Sequence, residues 1–341
     1  MGNETAPNSL SLRFQVLTEL PEIVALTPEW NSLVERSGCN RAFSSACWFL
    51  ASCRHNASLD PYVVIARRGT TLTGILPLVL TECGEVATFP NYLTDYSDAV
   101  AGIDDPFAIA GLLDFARSQP NGYQRIALSH IRRDSSCLQA VRLLEPDDMV
   151  EQKFRERVLC FYLQLPASHD DFLKSKRSRF RKRLKRLQGF ADKGNLTMRE
   201  LDPNTFPAHQ LPDVFLSLHL QRQKIRSCFE TTSAQNFVME VVPQLFEKRI
   251  MRACVLMDRD KIVAIDLYTM GRNSLCVWNG GFLPEAEYCS PGKLLINAGI
   301  KLACALKLEE FDFLRGPEAY KESWANNSRA IGQLELAVNG R

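Results

Sequence analysis

Three stretches of this chain gather side chains able to hold anions or move protons. Between Lys174 and Arg186 stand nine Lys or Arg and no acid, while the whole chain carries a formal charge of only +2. Leu173, Phe180, Leu184 and Leu187 recur within this run at helical spacing, which predicts a helix with one packed stripe and a cationic remainder. Like charges one turn apart repel, so the face expects a polyanion. The candidates are the phosphates of a nucleotide-bearing donor, a tRNA, an anionic glycan or a membrane surface, with Lys176, Arg177, Arg179, Arg181, Lys182 and Arg183 as the holding residues.

The second stretch is Ser290-Pro291-Gly292-Lys293-Leu294. Ser290 suits a helix N-cap and Pro291 the first helical position. Gly292 lets a ligand approach the backbone, leaving the amides of Gly292, Lys293 and Leu294 facing outward, an arrangement that attracts phosphate. A capped core helix would read the same way. The third stretch runs from Phe311 to Trp324. Asp312 alternates with Phe311 and Phe313, and is read either as a base of raised pKa or as the ion-pair partner of Arg315. Glu318 and His219 are the other candidate proton acceptors, although a lone helical His is also a common structural residue. Polar and aromatic groups of Asp95, Tyr96, Asp98, Arg315, Tyr320, Lys321 and Trp324 are the expected contacts of an acceptor molecule.

Positioning these groups requires alternating strands and helices, which argues an α/β (α+β) class with mixed sheets. Leu12 to Thr18 reads as a strand, Glu29 to Ser37 and Ser44 to His55 as helices, and Tyr62 to Leu80 as a hairpin turning at Arg67-Arg68-Gly69-Thr70. Pro106 to Arg117 reads as a helix and Arg125 to Ser129 as a strand. A second hairpin, Arg252 to Met270, repeats the design of the first and hints at an internal duplication. Then follow a strand at Leu275 to Trp278, loosened at Gly280-Gly281, a helix from Ser290 to Leu306, a strand at Phe311 to Leu314, and a short helix starting near Pro317. The strand Val158 to Leu165 followed by Pro166 divides the chain into lobes at 1–165 and 166–341, with Ser168 or Asp170 capping the next helix.

The 341 residues, 45% apolar and 23% charged, exclude disordered and fibrous classes. Eleven Cys form no C-x-x-C pair and no metal-ligand spacing, which predicts reduced, mostly buried thiols and no bound metal. Met1 to Ala6 lacks an apolar signal stretch, and no apolar run reaches membrane-spanning length, so a cytoplasmic protein without a membrane span is expected.

Four of these stretches resemble one family: Phe172 to Leu187, His219 to Arg222, Gly281-Phe282 followed by Ser290-Pro291-Gly292, and Asp312-Phe313-Leu314-Arg315-Gly316 with Tyr320-Lys321 and Trp324. They are similar to the acetyltransferase-like domain of CelD-like proteins, a GNAT-superfamily (Gcn5-related N-acetyltransferase) group from polysaccharide biosynthesis loci, related to the two-lobed FemAB aminoacyl transferases. The N-terminal half resembles the family through Trp30, Phe43 to Trp48, the first hairpin and the Asp95 to Asp98 loop. The resemblance implies tandem GNAT-like lobes, each a mixed and mostly antiparallel sheet flanked by helices, the first on the acceptor side. It also implies an acyltransferase (EC 2.3.1) in which an amine or hydroxyl of a small-molecule or glycan acceptor, lying between the lobes, attacks an acyl group on an acetyl-CoA or other acyl-CoA donor. The pyrophosphate loop of simple GNAT enzymes is replaced by Ser290-Pro291-Gly292-Lys293. An acyl-carrier protein or an aminoacyl-tRNA could therefore be the donor, and a catalytically silent, polyanion-binding GNAT-like protein is a further alternative.

Overall fold

The computed structural model of the chain describes residues 11–81, 84–102, 105–119, 123–146, 149–150, 153–222 and 227–338. Met1 to Ala6, Cys83 and Lys224, on which parts of the sequence reading rest, lie outside them. The chain divides into two compact units, the first made of Met1–Cys39, Ser44–Glu156 and Gly332–Arg341, the second of Asn40–Phe43 and Arg157–Ile331. The sequence places one division at 165/166. In the structure the first boundary falls earlier, inside a strand, and the chain returns to the first unit at residue 332.

In the first unit the elements are β1 (Leu12–Leu17), α1 (Leu20–Ala25), α2 (Thr27–Glu35), α3 (Ala46–His55), β2 (Asp60–Arg68), β3 (Thr71–Thr81), β4 (Val86–Thr88), β5 (Val100–Ala101), α4 (Pro106–Arg117), β6 (Arg125–Arg132) and α5 (Ser136–Leu144). Alternation builds its core. Tyr62, Val64 and Ala66 of β2 pack with α4 and α5, whereas Val63 and Ile65 join Trp30, Leu33 and Phe49 of α2 and α3 on the other face. A pleated strand sends successive side chains to opposite faces, so a strand covered on both sides reads as a continuous apolar run.

The second unit holds β7 (Phe154–Gln164), most of which belongs to it, α6 (His169–Ser175), α7 (Ser178–Lys193), β8 (Leu196–Glu200), α8 (Leu211–Arg222), α9 (Thr232–Glu247), β9 (Met251–Asp258), β10 (Lys261–Met270), β11 (Ser274–Phe282), α10 (Pro291–Ala305), β12 (Glu310–Arg315), α11 (Ala319–Trp324) and the start of β13 (Asn327–Ala337). Close approaches fix its helices. A Cβ on Gly281 would lie 2.3 Å from the His219 backbone nitrogen of α8, and one on Gly299 of α10 would lie 2.6 Å from the Tyr268 ring of β10. Only glycine permits either contact.

Strand order within each unit makes the duplication explicit. The first sheet runs β1-β2-β3-β4-β6 and is completed by β13; the second runs β8-β9-β10-β11-β12 and is completed by β7. In both, the fourth and fifth strands pair in parallel, joined through a helix, and the first four strands pair antiparallel in succession, as does β12 with β7. The mixed, mostly antiparallel sheets flanked by helices match the expected fold class. The strand that completes each unit comes from the chain following the other unit's equivalent helix.

Two expectations are corrected. The strand read over Leu275 to Trp278 is longer, because β11 continues through Gly280-Gly281 to Phe282, paired with β10. The basic run is not one helix: Lys176 and Arg177 are extended, with ψ 148° at each, and separate α6 from α7. Leu173 therefore belongs to another helix than Phe180, Leu184 and Leu187. Eight of the ten described cysteines are buried and all ten are free thiols. Among the described residues no helix is long and apolar enough to cross a membrane.

Candidate functional site

Burial positions the basic helix. Ser168 caps α6 by accepting a hydrogen bond from Asp171 N at 3.1 Å, and Phe172 of α6, fully buried, stacks on Trp324 at 6.2 Å. Phe180 of α7 meets the same indole edge-on at 4.9 Å. The Lys176 ammonium lies 5.3 Å from the Phe172 ring and donates to the Ser323 and Trp324 carbonyls at 3.2 and 2.5 Å, tying the break between α6 and α7 to the end of α11. Burial pushes its pKa below the ordinary lysine range.

This aromatic and cationic knot is one wall of a cavity of about 570 Å³. Lys176, Arg177, Arg179, Arg183 and Lys293 contribute positive groups to its lining, together with Phe180 and Trp324, and Glu322 is the acid among them. Lys293 comes from the first turn of α10. Desolvation, reinforced by the nearby Arg183 charge, pushes its ammonium below the usual range. Clustered, partly desolvated cations carry an electrostatic cost that a bound anion relieves.

The end of α10 is open to such an anion. Ser290 occupies the N-cap position in a left-handed conformation (φ 52°) and its side chain makes no capping hydrogen bond, contrary to the expected cap. A Cβ built on Gly292 would meet nothing within 4 Å. Leu294 is fully buried, so only its amide faces the helix end. The Lys293 N–H donates to the Ser290 carbonyl at 3.0 Å, which corrects the expectation that this amide faces outward; the rest of the first turn has no side-chain acceptor from Ser290, and the helix dipole favours negative charge there.

Beside this end the sheet opens. Parallel pairing between β11 and β12 stops after Cys276 and Asp312, although the strands continue to Phe282 and Arg315. The register of β11 against β10 slips at Trp278, a β-bulge that leaves Val277 and Asn279 half-exposed on either side. Bulges re-aim strand groups and recur beside active sites. Parted strands also leave backbone groups that must find partners elsewhere.

Several predicted site residues serve the fold. Asp312, only 1% exposed, accepts from Leu314 N at 2.7 Å and lies 4.0 Å from Arg329. It holds Leu314 in a left-handed conformation (φ 56°), and this burial denies it the access a general base needs. Lys321, 3% exposed, donates to the Arg315 carbonyl at 2.6 Å and pairs with Glu318 at 2.9 Å, fastening the loop after β12 rather than facing an acceptor. Trp324 is buried in the aromatic knot at the cavity wall. Glu318 and Tyr320 remain exposed, and Arg315 is half-buried. Arg181 and Lys182 are exposed on α7.

His219 is 3% exposed and packs between Phe215 and Phe229. Its Nδ1 lies 2.9 Å from the Gly280 carbonyl and its Nε2 lies 2.9 Å from Ser227 Oγ. Ser227 was not singled out by sequence reasoning; the polar residue eight positions after His219 was the available signal.

In the first unit, Asp98 accepts from Ser136 N at 2.7 Å and Cys137 N at 2.8 Å, neutralising the start of α5. Burial raises its pKa even against these hydrogen bonds. That carboxylate is committed to the start of α5, which corrects the acceptor role expected for it. Tyr96 is buried under the Arg132 guanidinium, 5.5 Å from its ring, and Asp95 is half-buried.

Comparison with known proteins agrees with this architecture. A family model described as an acetyltransferase (GNAT) domain matches residues 174–322, the span holding α7, β11, α10 and β12. No curated protein matches the chain. Among solved structures, FemX superposes with a TM-score of 0.63 at 12% identity, covering 95% of this chain and 98% of that one. The C-terminal domain of a putative lysylphosphatidylglycerol synthetase from Agrobacterium fabrum gives 0.57 at 13% identity, covering 93% and 92%. The structure of L-PGS from Bacillus licheniformis gives 0.57 at 12% identity, covering 95% and 93%. At these identities the likeness is one of fold.

Proposed function

We propose that the chain is an acyltransferase of the EC 2.3.1 class, moving an acyl group from a phosphate-bearing activated carrier, an acyl-CoA-type thioester, onto an amine or hydroxyl. The observation that carries this reading is the cavity where Arg179 and Arg183 of α7 meet Lys293 in the uncapped first turn of α10. A phosphate group there satisfies first-turn N–H groups and relieves the crowded cations together. The acyl end then extends toward the gap between β11 and β12, where backbone groups around the Trp278 bulge polarise the carbonyl. Attack by the acceptor forms the new bond, expels the carrier thiolate and releases a proton, with Glu318, exposed in the loop after β12 and paired with Lys321, as the candidate acceptor of that proton. The protein contributes chiefly positioning. The resemblance to CelD-like proteins favours a glycan among the acceptors.

Thermal shift with acetyl-CoA, a long-chain acyl-CoA and free CoA tests the carrier. A ligand at a hundred times its Kd stabilises the fold by about 2.7 kcal/mol. Gly292→Trp places a side chain in open space, so it should fold yet lose CoA binding in calorimetry; unchanged affinity overturns the placement.

A second reading, an aminoacyl-tRNA donor, is favoured by the continuation of positive charge beyond this cavity. A second cavity of about 620 Å³ is lined by Arg179, Lys182, Arg183 and Arg186. Filter binding of tRNA should then weaken steeply with salt, and absence of retention at low salt removes this reading.

A further inference from the structure

We infer that Ser227 is an activated nucleophile, with His219 as its base, and that the chain can carry an acyl group on this serine as an ester. The carbonyl of Gly280 only accepts hydrogen bonds, so His219 Nδ1, 2.9 Å away, carries the proton. In the neutral ring Nε2 is then an acceptor, and Ser227 Oγ at 2.9 Å donates to it. Nucleophile, base and orienting group stand in line, the arrangement that activates a hydroxyl. A third contact favours the charged oxygen: Phe229 N donates to Ser227 Oγ at 3.0 Å.

Access and surroundings suit the role. Ser227 is half-buried, whereas His219 is enclosed by Phe215 at 5.3 Å and Phe229 at 5.0 Å, which keep water from the base. Both rings also touch Trp278, at 5.8 and 5.6 Å, so the pair borders the bulge of β11. The proposed function, on which this placement of the acyl group rests, puts the activated carbonyl beside that bulge. Ser227 Oγ forms a bond to the carbonyl carbon as its proton passes to His219 Nε2. The bond to the leaving group breaks, and the departing thiolate or phenolate takes up a proton from imidazolium or solvent.

The probe is p-nitrophenyl acetate, which needs no carrier site. The full chain should release a burst of p-nitrophenolate, and peptide mapping should find the acetyl group on Ser227. Ser227→Ala should abolish that label, and His219→Gln should slow it about a hundredfold. The wild-type labelling rate should rise with pH and level off once the imidazole is neutral, a readout that requires no variant to fold. Absence of acetyl on Ser227, a rate that climbs with hydroxide without levelling, or wild-type labelling in a folded His219→Gln chain overturns the inference. CoA binding measured alongside separates the two claims: labelled Ser227 without CoA binding sinks only the carrier site, and CoA binding without the label sinks only the serine.

Discussion

The two units share one strand order and differ at the helix that crosses between their fourth and fifth strands. In the first unit Asp105 caps α4, accepting from Ala108 N at 3.1 Å, and pairs with Arg68. The chain's own carboxylate already sits where an anion would dock. In the second unit the corresponding helix α10 has no side-chain cap, an open space at Gly292 and a cationic cavity beside it. Equivalent elements can therefore be closed or open to a ligand through the residue at the N-cap and the charges around it, with no change in topology.

The sharpest way to break this comparison is charge reversal. Arg183→Glu with Lys293→Glu should reduce CoA affinity by two orders of magnitude or more, since each contact with a charged group contributes about 1.5–3 kcal/mol; calorimetry that finds the affinity unchanged moves the open site elsewhere. Next comes the parting of β11 from β12. Asp312→Ala leaves the buried Leu314 N–H without its acceptor and should destabilise the chain by about 2 kcal/mol in urea unfolding. Asp105→Ala should cost about 1 kcal/mol as a lost cap while leaving CoA affinity unchanged, and new CoA binding in this variant would show that one carboxylate separates the two units. The smallest effect is one of pH. Lys293 has a lowered folded pKa, so its charge costs stability below that value and the cost fades as pH rises through it. A bound anion restores the charge, so affinity for CoA should fall as pH climbs through the same window, and Lys293→Arg, which does not titrate there, should flatten the profile.

Most elements were legible because their signals are local. Pro106 to Arg117 and the two hairpins carry periodicity and turn residues that neighbouring structure does not override, and Ser168 caps the helix predicted to follow it. Partner choice was not legible. Nothing in the apolar pattern of β7 or β13 says which sheet either completes, because alternation specifies a face and not a neighbour. The site was half legible for the same reason. Arg183 and Lys293 were each marked by type, but their meeting across more than a hundred positions required the fold. Lys321 was misread, and Asp312 was left between two roles, because a charged residue near a strand end looks alike whether it faces a ligand or clasps the backbone. His219 was recognised as titratable, while its partner Ser227 sits past the end of α8, where helical spacing no longer predicts proximity.

The late arrival of β13 bears on biosynthesis. During N-to-C translation every other strand of the first sheet is made before residues 332–337, so β6 presents an unpaired edge while the whole second unit is being synthesised. A nascent chain stalled before residue 332 would expose that edge to neighbouring polypeptides, and truncations there should aggregate even though they retain every residue of the basic cavity.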